Sequence, residues 1–189
     1  MDQSLTEPER KTLLHLARQA IEHAVKGLPP PPIDPSGLTP ALRATGASFV
    51  TLTEKGALRG CVGALEPYQP LAEDVLEHAI AAALQDYRFP PVGPAELPRI
   101  AIEISRLTVP QPLDYTTPED LLARLRPGLD GVILRDGSHR ATFLPQVWEK
   151  IPDKPGFLDQ LCAKMGVHHD LWRHKHLEVL LYQVEEFHE

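Results

Sequence analysis

Proline is the residue that most restricts how this chain can fold. The 189-residue sequence contains 20 prolines, about twice the usual share of roughly 5%. Proline has a fixed φ angle and no amide hydrogen, so it is excluded from helix interiors and central strands. Most of these prolines lie between stretches of regular hydrophobic periodicity, where they end one element or begin the next. The sequence therefore predicts helices and strands joined by stiff loops.

Apolar residues recur at helical spacing in several of these stretches. Thr6 and Glu9 have the spacing of a capping box, which marks the start of the first predicted helix. The predicted helices are residues 7–26, Leu71 to about Gln85, a short helix that Thr117 caps, a helical segment from Pro145, and Phe157–Met165. The glycines and prolines that follow them are typical helix terminators.

Alternating β-branched and apolar residues predict the strands. They are Ala47–Thr53 and Ala57–Val62 around Lys55-Gly56, Arg99–Val109, Gly131–Arg135 and His139–Leu144 around Asp136-Gly137, and a last strand at Leu177–Glu185. In the 99–109 strand three isoleucines share one face and Glu103 lies on the other, where solvation is its usual state. Leu107 and Val109 break this alternation and predict a β-bulge.

Helices and strands intermix without steady β-α-β alternation, and hairpins supply much of the pairing. This order favours an α+β fold with a largely antiparallel or mixed sheet flanked by helices. With 42% hydrophobic residues, a chain of this length can bury one sizeable core. We therefore expect a single domain over residues 1–189, with two lobes.

Charge and cysteine content limit the classes of partner and compartment. Asp and Glu outnumber Lys and Arg by 26 to 19, for a formal charge of −7, which argues against nonspecific binding to nucleic acid or anionic membrane. Two cysteines, Cys61 and Cys162, favour a reducing compartment over a disulfide framework. The acidic stretch Met1–Arg10 does not resemble a secretory signal. A cytoplasmic location without membrane association is expected.

The stretch Leu58–Gly63, L-R-G-C-V-G, contains the most informative chemistry. Arg59 precedes Cys61 by two residues, and Gly60 and Gly63 bracket the thiol. A guanidinium stabilises the thiolate form, which attacks electrophiles, and glycine lets a backbone approach a ligand closely. Cys61 is thus a candidate nucleophile; the alternative is a small buried hydrophobic residue in a tight turn.

Other polar residues are weaker candidates. Arg59, Arg88 and Arg106 could bind a carboxylate or phosphate, or each could form a surface ion pair. The possible bases for Cys61 are His139, His168 and His169. No local sequence motif pairs any of these histidines with the cysteine. No phosphate loop, dinucleotide fingerprint or serine nucleophile elbow is present, so no cofactor is predicted.

The segment H-H-D-L-W-R-H-K-H concentrates four histidines after Cys162. They are His168, His169, His174 and His176. Histidine is a common ligand of zinc and iron, but these spacings match no familiar zinc motif. The pattern favours a solvated loop, and no metal site is predicted.

Five segments together resemble the AMMECR domain family in order and spacing. They are F-V-T-L at Phe49–Leu52, L-R-G-C-V-G-A-L-E-P at Leu58–Pro67, D-Y-R-F-P-P-V at Asp86–Val92, L-P-Q-V at Leu144–Val147 and L-C-A-K-M-G at Leu161–Gly166. The resemblance implies a two-lobed fold with a cleft, with the larger lobe built from both chain ends and the smaller one from roughly 105–150. It also places the cysteine motif at the lobe boundary.

The resemblance implies site residues and partners but no settled activity. Its motifs carry over to Leu58, Arg59, Gly60, Cys61, Gly63 and Glu66, and to Arg88, Phe89 and Pro90. Similar prokaryotic proteins are associated with a Memo-like protein and a radical SAM protein in the AmmeMemoRadiSam system. The sequence differs from the residues more common in the family at Val62 and in the segment Ala141–Phe143.

Two functions from different classes remain open. The first is an enzyme or enzyme component whose cleft uses Cys61, Arg59 and Glu66 for catalysis. Gly60, Gly63, Arg88, Phe89 and Glu103 would then bind a small anionic substrate, with Glu103 as a further candidate for proton transfer. The second is a noncatalytic module that binds a Memo-like or radical SAM partner, or RNA through a local basic patch.

Overall fold

The computed structural model of the chain describes residues 4–189, so the first three residues of the acidic N-terminal segment lie outside the described residues. The helices are α1 (Glu7–Val25), α2 (Pro40–Arg43), α3 (Leu71–Leu84), α4 (Pro118–Arg124), α5 (Lys154–Met165) and α6 (Leu171–His174). The strands are β1 (Thr45–Glu54), β2 (Ala57–Gly63), β3 (Gln69–Pro70), β4 (Ile100–Leu107), β5 (Gln111–Pro112), β6 (Gly131–Asp136), β7 (His139–Phe143), β8 (Glu178–Tyr182) and β9 (Val184–His188). Single 3₁₀ turns lie at Pro35–Gly37, Leu97–Arg99 and Pro145–Glu149.

The chain forms two compact units, and the predicted α+β class is confirmed. Unit 1 contains the described residues up to Leu107 together with Glu185–Glu189, and unit 2 contains Thr108–Val184. Unit 1 has a five-stranded sheet in which β2, β1, β4 and β9 are neighbours and β3 pairs with β1. Unit 2 has a four-stranded sheet in the order β5-β8-β6-β7. None of the described helices is long and apolar enough to cross a membrane.

One face of the unit 1 sheet carries the hydrophobic core. Val50, Leu52, Ile102 and Ile104 are buried there with apolar residues of α1 and α3. The β1–β2 hairpin turns through Lys55 and Gly56, both with positive φ, as the Lys-Gly pair predicts. The three isoleucines of β4 are buried and Glu103 is half-exposed. The predicted alternation of this strand is therefore confirmed.

The bulge lies elsewhere than predicted. All eight residues of β4 pair with β1 in regular register, so Leu107 does not interrupt this pairing. The register shifts instead between β1 and β2, where Leu52 faces Gly60 and Thr53 faces Leu58. Arg59 is thus the extra residue on β2. Hydrophobic alternation could not locate this bulge because Leu58 and Arg59 lie on an edge strand with weak patterning.

The unit 2 core forms between its sheet and α5. The rings of Trp148 and Phe157 stack with centroids 3.6 Å apart, and Cys162 is fully buried on the same side of α5. Asp153 caps α5 through a 2.8 Å bond from the Gly156 amide, so the helix begins three residues earlier than predicted. The cap of α4 at Thr117 is confirmed.

The predicted terminal strand over Leu177–Glu185 is wrong. The structure divides it into β8 in the unit 2 sheet and β9 in the unit 1 sheet. Gln183 separates the two strands, and its amide donates to the Thr108 hydroxyl at 2.8 Å. Apolar patterning continues through this point, so the sequence carries no signal for the change of sheet.

Candidate functional site around Cys61

Strand β2 presents Cys61 on the sheet face opposite the helices. Its neighbour Gly60 is buried against α3, and a Cβ atom added to Gly60 would lie 2.2 Å from the carbonyl oxygen of Ala82. A Cβ added at Gly63 would meet both the Phe49 ring and the Ser48 carbonyl at 2.4 Å. These two glycines therefore allow close packing within unit 1, and their predicted contact with a ligand stays a prediction.

Cys61, Thr51 and Glu103 form a row across three strands. Thr51 pairs with Cys61 on one side and with Glu103 on the other, so the three side chains share one sheet face. All three are half-exposed. The Thr51 hydroxyl donates to the Cys61 sulfur over 3.3 Å. The strand prediction placed Glu103 on the correct face, and the sheet register brings it into line with the thiol.

Asp86 connects the Cys61 backbone to Arg88. The Cys61 amide donates to Asp86 Oδ2 at 2.8 Å. Arg88 donates to both oxygens of the same carboxylate, from Nε to Oδ1 at 2.9 Å and from Nη2 to Oδ2 at 2.7 Å. Nη2 also donates to the Cys61 carbonyl at 3.2 Å. Asp86 and Arg88 thus satisfy the amide and the carbonyl of Cys61 on β2, an edge strand among the described residues.

The electrostatics of this arrangement follow from the same contacts. Hydrogen bonding from Arg88 holds the pKa of Asp86 well below its usual range, and the Cys61 amide contributes to the effect against the opposing effect of burial. The carboxylate in turn raises the pKa of Arg88. Asp86 is therefore ionised and Arg88 is cationic at neutral pH. The side chain of Asp86 is buried, whereas that of Arg88 is 44% exposed.

Arg59 forms a two-point ion pair with Glu96. Its Nε donates to Glu96 Oε1 at 2.7 Å and its Nη2 donates to Glu96 Oε2 at 3.2 Å. Glu96 also accepts the Gly93 amide at 2.7 Å, and the bond from Arg59 lowers the pKa of Glu96. Arg59 Nη1 is buried without a hydrogen-bond partner among residues 4–189. Arg59 thus fastens the loop after α3 to the bulge in β2.

The remaining candidates lie at several different places. Phe89 lies beside Arg88, whose guanidinium carbon is 5.5 Å from the ring centroid, and Glu66 is exposed in the segment after β2. Arg106 pairs with Glu185 at 3.3 Å, as its ion-pair alternative predicts. The histidines proposed as bases, which are His139, His168 and His169, belong to unit 2, whereas Cys61 belongs to unit 1.

Three residues of this site escaped sequence reasoning. Asp86 opens the D-Y-R-F-P-P segment, but the family motif points only to the later residues Arg88, Phe89 and Pro90. Thr51 is one of several β-branched residues in β1, and Glu96 is 37 residues from its partner Arg59. The spacing of Asp86 and Arg88 was a usable signal, because two opposite charges two residues apart in a loop can form a local pair.

A buried polar cluster lies on the helix face of the same sheet. Ser48 donates to Asp74 Oδ2 at 2.6 Å, and His78 Nδ1 lies 3.2 Å from the same oxygen. Asp74 is fully buried, and its Oδ1 has no partner among the described residues. Asp74 also lies in the first turn of α3, where the helix dipole favours an acidic side chain.

Comparison with known proteins decides the family. The sequence pattern of the AMMECR1 family matches residues 14–187. The chain belongs to the AMMECR1 family. An AMMECR1-family relationship also agrees with full-length similarity to archaeal proteins: it is 40% identical to a protein of Methanothermobacter thermautotrophicus over 98% of this chain and 96% of the relative. The corresponding values for a protein of Thermofilum pendens are 38%, 97% and 91%.

A solved structure shows the same fold. The chain superposes on the crystal structure of uncharacterized protein PH0010 from Pyrococcus horikoshii with a TM-score of 0.76 and 33% identity, covering 98% of this chain and 93% of that chain. The predicted family resemblance is therefore confirmed. These relatives indicate the fold and the family, and their names assign no reaction.

Proposed function

We propose that this AMMECR1-family protein binds a small anionic compound beside Cys61 and uses the thiol as a nucleophile or ligand, as an enzyme or enzyme component. One observation supports this proposal most directly. Asp86 holds the Cys61 amide and the Arg88 guanidinium with a single carboxylate. The backbone of Cys61 and a cation are thereby held by the same side chain, which favours the preorganisation that a reactive site requires.

Arg88 is the residue suited to bind the anion. The described bonds to Asp86 and Cys61 use its Nε and Nη2 groups, so Nη1 is left to donate to a ligand oxygen. Arginine presents planar, fixed donors that match carboxylate and phosphate. The partial exposure of Arg88 makes it accessible, whereas Arg59 is occupied by Glu96.

Glu103 is the carboxylate best placed for proton transfer. Residues directly opposite each other in an antiparallel pair have Cβ atoms about 5 Å apart. A compound bound over Thr51 would therefore have the thiol of Cys61 on one side and the carboxylate of Glu103 on the other. Glu66, exposed beyond the end of β2, is the second candidate for this role.

A pair of alkylating reagents tests the proposal. Neutral iodoacetamide should modify Cys61 at least about tenfold faster than the buried Cys162, since access and thiolate content control thiol reactivity. Anionic iodoacetate should lose rate at Cys61 selectively in Arg88→Gln, while the iodoacetamide rate changes little. Arg43→Gln, at an exposed arginine elsewhere in unit 1, is the matched control. Equal effects on both reagents, or an unreactive Cys61, would contradict the proposal.

A noncatalytic protein-binding module is the second candidate, favoured by exposed aromatic and aliphatic side chains close to the motif. Tyr87 is 96% exposed next to Arg88, and Leu58 and Tyr68 are also exposed. Tyrosine and arginine are enriched at binding hot spots. In this proposal the partner is a Memo-like or radical SAM protein, as the family resemblance implies, with RNA the weaker alternative for an acidic chain.

Titration calorimetry with purified partners tests this second function. Tyr87→Ala should weaken binding about tenfold or more, whereas Leu28→Ser, at an exposed leucine near the end of α1, should leave it unchanged. An equal loss in both variants, or no binding of any of the partners, would count against the module. Retention of RNA at low salt, lost as salt rises, would instead favour the RNA alternative.

A further inference from the structure

The turn between α5 and α6 brings three metal-ligating side chains together. One potential ligand atom from each of His168, His169 and Asp170 lies within 4.8 Å of the other two. The sequence favoured a solvated loop here, because no familiar zinc spacing is present. The folded turn changes that interpretation, since it places three consecutive residues on one small patch of unit 2.

We propose that His168, His169 and Asp170 form a binding site for a borderline divalent transition metal such as Zn²⁺. Two imidazoles and one carboxylate are the donor set that zinc and its neighbours in the first transition row accept. A tetrahedral zinc ion with bonds of about 2.1 Å requires ligand atoms about 3.4 Å apart. The observed spacing, within 4.8 Å, is of the same order.

The backbone of the turn is held firmly enough to support such a site. Gly166 ends α5 with a φ of 82°, and the amide of Leu171 donates to the carbonyl of His168 at 3.1 Å. Trp172 is buried and donates from Nε1 to Asp159 at 2.7 Å. Arg173 donates to the same carboxylate at 2.5 Å. Because Asp159 satisfies Arg173, this nearby cation is neutralised beside the proposed metal.

Asp170 already has a second histidine in position to support it. Its Oδ1 lies 2.5 Å from His168 Nδ1, and its Oδ2 lies 3.4 Å from His174 Nε2. When one carboxylate oxygen binds the metal, His174 can donate to the other oxygen and fix its orientation. Such outer partners tune the affinity of a metal site about 10-fold to 100-fold. His174 is thus a positioning residue.

The exposure of the ligands defines the kind of site. His168 and His169 are exposed and Asp170 is half-exposed, so the bound ion would keep one or more water molecules. Three protein ligands with an open position distinguish it from a closed structural zinc site. All of its ligands belong to unit 2, whereas Cys61 belongs to unit 1.

Calorimetric titration of the full chain with Zn²⁺ alone, after chelator treatment, tests the site. We expect one equivalent to bind, with affinity reduced at least tenfold in the double variant H168N/H169N and about tenfold in H174N. The matched double variant H15N/H139N changes exposed histidines elsewhere and should bind as the unaltered chain does. Cys61→Ser should also leave binding unchanged, which separates this site from the thiol.

The proposal is overturned if H168N/H169N binds Zn²⁺ as tightly as the unaltered chain, or if H15N/H139N loses as much affinity. It is also overturned if no equivalent binds at micromolar concentrations. Circular dichroism of each variant shows whether the fold is retained. If H168N/H169N does not fold, Co²⁺ titrations of H174N and of the unaltered chain supply the decisive comparison. The assigned geometry is rejected if both proteins bind Co²⁺ with the same affinity and show the same intensity of the ligand-field band.

Discussion

Cys61 and Cys162 are the two cysteines of the chain, and the elements that carry them create different environments. Cys61 lies half-exposed on the sheet face opposite the helices, and its sulfur accepts a hydrogen bond from the Thr51 hydroxyl. Cys162 lies fully buried on the core side of α5, where desolvation raises the pKa of its thiol. A strand with one solvated face can present a thiol, whereas a helix stripe facing a core sequesters one.

The largest effect is expected at the packing that fixes the orientation of β2. Gly60→Ala would place a Cβ atom 2.2 Å from the Ala82 carbonyl oxygen, so either α3 or β2 must move. We expect the free energy of unfolding to fall by about 3 kcal/mol or more in denaturant titration. Gly37→Ala is the control, because a Cβ there meets nothing within 4 Å. Equal stability of the two variants would show that Cys61 is not held by this contact.

The second largest effect on stability is expected from the carboxylate of Asp86. Asp86→Asn removes the carboxylate that accepts the Cys61 amide and pairs with Arg88, and we expect a loss of about 2 kcal/mol at neutral pH. Because the pKa of Asp86 is lowered in the folded chain, its stabilisation is present above the unfolded pKa of about 4 and is lost as the pH falls below it.

The unaltered chain should therefore lose more stability than Asp86→Asn between about pH 6 and pH 3. Urea titrations across this range measure the difference. Asp114→Asn, at an exposed aspartate of unit 2, should preserve the pH dependence of the unaltered chain. If stability depends on pH in the same way in the unaltered chain and in Asp86→Asn, Asp86 is not the charge that organises the Cys61 region.

The smallest effect comes from exchanging each thiol for a hydroxyl. Cys162→Ser buries a hydroxyl in an apolar core, and we expect a cost of about 1.5 kcal/mol. Cys61→Ser places the hydroxyl on a half-exposed face, where the cost should stay below about 1 kcal/mol. Thermal and denaturant unfolding of both variants measures this difference. If Cys61→Ser proves the more destabilising, Cys61 is a packing residue and the comparison between the two regions fails.

Local patterns predicted the elements because their information is local. Thr6 and Glu9 predicted the start of α1, where the Glu9 carboxylate accepts the Thr6 amide and hydroxyl at 2.8 Å. Lys55-Gly56 predicted the β1–β2 turn, and the isoleucine alternation predicted the faces of β4. Each of these features involves residues within a few positions of one another. The predicted cleft between two lobes stays a prediction.

Local sequence patterns did not predict contacts between residues that are distant in the sequence. At the change of sheet, the Gln183 amide donates to Thr108, 75 residues away, and the partner of Arg59 is 37 residues away. Arg59 could equally have faced the thiol, since charge and spacing alone do not choose among many acidic partners. In the structure, Arg59 is the extra residue at the bulge in β2, and it pairs with Glu96.

The sequence by itself determined the α+β class, most of the helices and hairpins, and the family motif around Cys61, because short-range periodicity, capping and turn chemistry are encoded in neighbouring residues. Only the tertiary structure decided which charges meet. It aligned Glu103 with Cys61 through Thr51, gave Arg88 to Asp86 and Arg59 to Glu96, and gathered His168, His169 and Asp170 on one turn. The physical reason is that side-chain interactions fall off within a few ångströms, so they depend on sheet register and loop packing, which many distant residues set together.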